Sequence, residues 1–299
     1  MTELSRKVLE SWQVRKTFAQ KTAFIDFLRS QGVDLVVDSD RKGKCRNLVV
    51  GDLEKAQYIL AAHYDTPAVM PVPNFLAPKN FLLTLGYSLL LTVPMLLLMV
   101  VVELLLMQVI PNVLVVLGVL YLLLFGFLYL MMAGPANRHN ANDNTSGVIT
   151  LLEAMQDPAI REKAAFVFFD LEEMGLVGSR QFAKRHKELV KSKVLLNFDC
   201  VGDGDHFLLI TSKDAAEEMD PKLAAAFTPL GSKNAQVCAA KKVRYPSDQA
   251  NFKRGVGIAS FRKHKRIGYY VNRIHTPKDT ILEEENISFL LQGLKKLMS

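Results

Sequence analysis

The stretch "AAFVFFDLEEMGLVGSRQFAKRHKELV", residues 164–190, decides how this chain is read. Its opening apolar run reads as a buried strand, and "GSRQFAKRHKELV" (178–190) reads as a helix. Between them the strand stops in two adjacent carboxylates, Glu172 and Glu173, followed by Gly175. Such a pair is either simply solvated or serves something positive. The ends of the other strands decide which.

Working outward, strand and helix alternate. "AQYILAAHYD" (56–65) is a strand ending at His63, and "TSGVITLLEAMQ" (145–156) is a helix opened by Asp143, Asn144 and Thr145. "KVLLNFDCVGDGD" (193–205) is a buried strand ending in acids and glycines, and further strands are expected at 206–212, 235–240, 257–261 and 267–272. The chain closes on a helix at 287–298. The N-terminal segment reads as one surface helix from near Thr2 to Gly32 and lacks the continuous apolar core of a signal peptide. The pattern predicts an α/β fold: a central, mostly parallel or mixed sheet flanked by helices.

Hydrophobic residues make up 49% of the 299, with a mean hydropathy of +0.14, and the excess sits in one place. Two apolar runs, 81–106 and 113–132, flank the turn "MQVIPN". Each exceeds the roughly 20 residues needed to cross a bilayer. The sequence therefore predicts a two-helix transmembrane hairpin (79–134) inserted between the two parts of a catalytic domain (1–78 and 135–299), with Pro94 placed to kink the first helix. Two crossings return the chain to the side it left. Lys79 and Arg138 flank the hairpin and its turn has no basic residue, so the expectation is a two-pass integral membrane protein with its globular part in the cytosol. The net charge of +7 comes without a nucleic-acid recognition motif, and a lipid bilayer is the partner it implies. Three cysteines without paired spacing exclude a disulfide framework.

In open α/β sheets, sites form beyond the carboxyl ends of strands. Here those ends carry His63 and Asp65, Glu172 and Glu173, and Asp199, while Asp143 opens a helix and His275 lies in a loop after a strand. Imidazoles and carboxylates from five segments suit a divalent metal, and zinc takes just these donors.

The ordered set "AAHYDT", "NANDNTSGV", "FFDLEEMGLVGS", "LLNFDCVG", "PSDQANFKRGVGIAS" and "RIHTPKDT" resembles the di-zinc aminopeptidase family, which includes bacterial leucyl aminopeptidases and transferrin-receptor-like proteins. The resemblance covers nearly the whole chain outside the hairpin and implies a zinc-peptidase-like fold with two Zn2+ per chain. It implies that His63 and Asp199 hold one ion, Glu173 and His275 the second, and that Asp143 bridges both. Asp65 would fix the His63 ring, and Glu172 would be the general base and acid. The substrate implied is the N-terminus of a peptide or protein.

The chain departs from the family at Leu171, where glycine is frequent, at Gln249 in "SDQ", and at Ile274, where some members have a tyrosine that Tyr269 or Tyr270 would replace. The hairpin occupies a loop that is short in soluble relatives. It brings the metal centre within roughly 35 Å of a membrane surface, so that the cleft is expected to border the bilayer. The alternatives are a glutaminyl-cyclase-like acyltransferase with one zinc, or a non-catalytic scaffold of the same fold. The basic clusters "KKVRY" (241–245) and "FRKHKR" (261–266) read first as solvated faces and second as lipid-headgroup contacts. His139, His186, His206 and His264 fall outside the motif set, and the sequon at Asn144 reads as chance. The oligomeric state is not legible.

Overall fold

The computed structural model describes residues 1–70 and 72–299. The chain opens with α1 (Glu3–Ser11) and α2 (Phe18–Ser30), followed by β1 (Leu35–Ser39), β2 (Arg46–Val50) and β3 (Tyr58–His63). Two long helices follow, α3 (Phe81–Val109) and α4 (Val113–Ala133). Then come α5 (Gly147–Gln156), α6 (Pro158–Arg161), β4 (Ala164–Phe169), α7 (Val177–Arg185), α8 (Lys187–Ser192), β5 (Val194–Phe198), β6 (His206–Thr211), α9 (Lys213–Ala226), β7 (Asn234–Ala239), β8 (Gly255–His264), β9 (Gly268–Tyr270) and α10 (Glu284–Met298).

The strands form one mixed sheet in the order β1-β2-β4-β3-β5-β8-β6-β7, with β9 paired to β8. Its centre, β4-β3-β5-β8, is parallel. β2 joins β4 antiparallel and β6 joins β8 antiparallel. Strands from before and after the long helices thus pair in one sheet, since β3 lies between β4 and β5.

Both faces of the sheet are buried, which is why the central strands are apolar without alternation. Along β3, Leu60 and Ala62 face a core closed by α1, α2, α5, α9 and α10, while Ile59 and Ala61 face Phe182, Leu189 and Val190 of α7 and α8.

The single N-terminal helix expected from the sequence is two helices. Thr17 caps α2 in a reciprocal capping box with Gln20, which starts a new helix where an uninterrupted one was expected. The break lets Arg15 turn inward and become fully buried. Its backbone N–H donates to Thr66 Oγ1 at 2.8 Å, and its guanidinium donates to the Tyr64 carbonyl at 2.5 Å and to Thr145 Oγ1 at 3.2 Å. Arg15 therefore ties the turn after β3 to the segment entering α5. Nearby, Lys21 of α2 pairs with the buried Asp170 at the end of β4. Replacing Lys21 with Met leaves that carboxylate without its cation. Thermal and denaturant unfolding should register a loss of about 3–5 kcal/mol.

The helix α3 runs on through Pro94, no residue of α3 is buried, and α4 buries only Val116 and Leu120. Each contains an 18-residue stretch with a mean hydropathy of 2.7, and by length and composition either can cross a membrane.

Candidate metal centre

The parallel strands aim their carboxyl ends at one cleft of about 280 Å³, lined by His63, Asp143, Glu172, Glu173, Asp199 and His275 together with Leu76, Tyr245 and Ile274. His63 is the last residue of β3, and Asp199 follows β5 directly. Asp143 lies in an irregular helical turn, residues Ala141–Ser146, before α5. His63, Asp143, Glu172, Glu173, Asp199 and His275 therefore line one cleft, and Asp65 follows His63 by two residues.

Asp143 occupies its middle. Its Oδ1 is 3.3 Å from His63 Nε2, and its Oδ2 is 3.0 Å from His275 Nε2. On one side Asp199 Oδ1 lies 3.6 Å from the same His63 nitrogen. On the other, Glu173 Oε2 lies 3.6 Å from the same His275 nitrogen. The arrangement is two imidazole–carboxylate pairs that share the two oxygens of a third carboxylate. Donor atoms of His63, Asp143 and Glu173 lie within 4.8 Å of one another, as do those of Asp143, Asp199 and Cys200.

The donor set is chemically suited to cations. Among the described residues, the buried Glu173 Oε1 has no hydrogen-bond partner. Burial pushes Glu173 up to about 8, with Asp143 adding to the effect and His275 opposing it. Burial disfavours the His275 imidazolium, yet Glu173 and Asp143 outweigh it and raise the ring to about 9. Burial likewise opposes ionisation of Asp143, but hydrogen bonds from His275 and His63 hold it well below the usual carboxylate range. Several carboxylates in so dry a site carry their charge most readily beside concentrated positive charge. Zinc fits such a set of imidazole nitrogens and carboxylate oxygens.

Glu172 differs from its neighbour. Its carboxylate lines the cleft but is absent from both donor groups. Burial and then the charges of Glu173, Asp199 and Asp248 push it well above its usual range against the pull of His63. Asp65 sets this segment in place. It accepts from the backbone N–H groups of Glu172 at 3.0 Å and Glu173 at 3.3 Å. Its carboxylate also lies 3.5 Å from His63 Nδ1, although its carbonyl oxygen is nearer, at 3.2 Å. One residue thus holds both the imidazole and the two glutamates.

The backbone around the site is bent. Leu171, Leu176, Cys200 and His275 are the non-glycine residues with positive φ among the described residues; Leu171 and Leu176 bracket the loop that carries Glu172 and Glu173, while Cys200 and His275 line the cleft. The left-handed region costs a non-glycine residue about 1–2 kcal/mol. Leu171, at φ 54°, holds a left-handed conformation that glycine adopts without strain. Leu171→Gly is expected to leave thermal stability equal or higher, by up to about 1 kcal/mol.

Several supporting residues were not legible in the sequence. Asp279, in "HTPKDT", accepts from the backbone N–H groups of Asn142 and Asp143 at 2.9 and 3.0 Å. Asn142 Oδ1 accepts from Gly202 and Asp203, while Asn144 donates to the Phe198 carbonyl and accepts from Gly147 and Cys200. The two asparagines stitch the Asp143 turn to the end of β5. Two amides flanking one acid was the available signal.

Neither Tyr269 nor Tyr270 lies in the cleft. Tyr269 donates to Gln236, and Tyr270 stacks near Phe75. The phenol at the site is Tyr245, which donates to the Asp199 carbonyl at 3.2 Å. A cationic neighbourhood in "KKVRY" concealed it. Asp248 and Gln249, of "SDQ", are buried behind the cleft, and both Asp248 carboxylate oxygens lack partners among the described residues.

A second groove, of about 490 Å³, is lined both by Asp65, Leu171 and Glu173 and by Lys16 and the end of α4 at Ala133 and Gly134.

No protein of curated function matches the chain. Among solved structures, a Zn-dependent exopeptidase from Parabacteroides distasonis aligns over 99% of this chain and 94% of its own, at 16% identity and a TM-score of 0.60. A glutaminyl cyclase from Porphyromonas gingivalis aligns over 98% and 94%, at 14% identity and a TM-score of 0.57. The LapA aminopeptidase of Legionella pneumophila aligns over 99% of this chain and 67% of its own, at 13% identity and a TM-score of 0.56. At such identities the likeness is one of fold. Residues 129–289, more than half of the chain and including Asp143, Glu172, Glu173, Asp199 and His275, match the sequence profile of Peptidase family M28. The chain belongs to peptidase family M28 and is a zinc metallopeptidase.

Proposed function

We propose that this protein is a membrane-anchored di-zinc exopeptidase that removes residues from the N-terminus of peptides. Its catalytic domain comprises residues 1–78 and 135–299, and the hairpin 79–134 crosses the bilayer. His63 and Asp199 would hold one zinc ion, Glu173 and His275 the other, and Asp143 would bridge them. The observation that carries this reading is the division of Asp143, one oxygen toward each histidine.

Bound there, paired zinc ions supply Lewis acidity to a water molecule and to the scissile carbonyl. The chain's own residues do the rest. Glu172 takes the proton from the attacking water and delivers it to the departing amine, because its carboxylate is on the cleft wall and not committed to another side chain. Asp65 keeps that carboxylate aimed by holding its backbone N–H. Leu76, Ile274 and Tyr245 wall the cleft and limit the water around the reacting bond.

The groove from α4 to Glu173 supports a site that borders the bilayer. The substrate is then a polypeptide end presented at a membrane, with the globular part in the cytosol as the flanking Lys79 and Arg138 favour. Two measurements test this. Alkaline carbonate should leave the protein in the membrane pellet, and its release would remove the anchoring. Replacing residues 81–133 with a short loop should spare turnover of soluble peptides and depress turnover of membrane-borne ones. Equal turnover on both would reduce the hairpin to a tether.

A further inference from the structure

Two basic clusters about twenty residues apart in the sequence meet at the base of the α3–α4 hairpin. Arg244, from "KKVRY", places its guanidinium 3.9 Å from the centre of the Phe81 ring, the first residue of α3, and its backbone N–H donates to the Pro78 carbonyl at 2.9 Å. Lys263, from "FRKHKR", lies 5.3 Å from the Tyr269 ring, and Lys79, just ahead of α3, lies 4.9 Å from the same ring. The tip joining β8 and β9 exposes Lys263, His264, Lys265 and Arg266.

An aromatic ladder fixes the height of this tip. Tyr270 of β9 is 6.1 Å from Phe75, and Phe75 is 5.3 Å from Tyr87, in the second turn of α3. β9 therefore lies level with the first turns of an apolar helix. Aromatic rings at that level and cations beside them are what a membrane–water interface selects.

We propose that the β8–β9 tip, with Lys79 and Arg244, is a docking site for anionic phospholipid headgroups of the bilayer that the hairpin crosses. The inference rests on the membrane reading above and deepens it. The catalytic domain is held against the membrane surface, not swung from a tether. The docked elements run on into a wall of the active site. Leu76 and Val271 exchange backbone hydrogen bonds of 2.9 Å, Asn74 donates to the Ile274 carbonyl, and Met70 donates to the His275 carbonyl. Leu76, Ile274 and His275 line the cleft, while Phe75 and Tyr270 are on the ladder toward α3.

The test uses the full chain in lipid nanodiscs of zwitterionic lipid alone or with an anionic lipid added, read by amide hydrogen exchange. Amides of residues 262–271 should exchange on the order of tenfold more slowly in anionic discs, and high salt should erase the difference. Reversing three exposed charges (Lys263→Glu, Lys265→Glu and Arg266→Glu) should also erase it. Reversing Lys187 and Lys191, on α8, which packs against the central strands β3, β4 and β5, should preserve it. Equal exchange in both lipids, or lipid-dependent exchange that survives the triple reversal, overturns the docking site. A chain that carbonate strips from membranes instead overturns the membrane reading and this proposal with it. One that stays inserted with lipid-independent exchange overturns this proposal alone.

Discussion

Glu172→Gln is expected to keep the zinc content of the parent chain and to lose peptidase turnover by about 10²–10⁴-fold. The amide has nearly the shape of the carboxylate, and the main-chain N–H of residue 172 still donates to Asp65, so the segment keeps its course. What disappears is the capacity to accept a proton from water at neutral pH. The loss should fall on kcat, since an interaction made only as the proton moves leaves ground-state binding alone. Three readings belong together: metal per chain by elemental analysis, kcat and KM on a peptide series, and the thermal midpoint. Full turnover in the variant would remove Glu172 from the reaction. A parallel fall in zinc and turnover would make it a ligand instead.

Asp143→Ala is expected to have a broader effect. The Nε2 of each histidine in the site faces one carboxylate of its own, Asp199 or Glu173, and both face Asp143. Removing it takes one donor from each side at once. Zinc should fall from near two per chain to below one, and turnover should reach background. Losing a supporting residue alone typically weakens metal binding by about 10–100-fold, and losing a shared ligand should exceed that. The milder comparison is Asp279→Asn, which loosens the hold on the Asn142 and Asp143 backbone without touching a donor. It should weaken zinc affinity by about 10–100-fold with stoichiometry recoverable at high metal. If Asp143→Ala kept two ions, the bridging arrangement would be wrong. A parent chain that carries one zinc would favour the cyclase-like alternative.

Much of the frame was readable from local pattern. The apolar runs at 164–169, 194–198 and 58–63 are strands because both sheet faces are covered, and burial on both faces leaves no alternation to obscure. The N-terminal break was not readable. Trp12–Lys16 continues an apolar spacing that suits a helix, and the reason to interrupt it is Arg15, whose partners Tyr64 and Thr145 are about 50 and 130 positions away. The helix expected at 178–190 divides at His186 into α7 and α8.

Residue chemistry and order along the chain were enough to name seven candidate side chains at strand ends, a helix start and a loop after a strand, since donor type and element type are both local properties. Which oxygen of Asp143 faces which histidine was not, nor that Asp65 grips two glutamates by their main chain, nor that Tyr245 is the phenol in the cleft. The approach of Arg244 to Phe81, and of Lys79 and Lys263 to the one Tyr269 ring, belongs with these. Each depends on where the sheet order brings distant loops, and interactions of a few ångströms between residues a hundred positions apart leave no periodicity in the sequence to read.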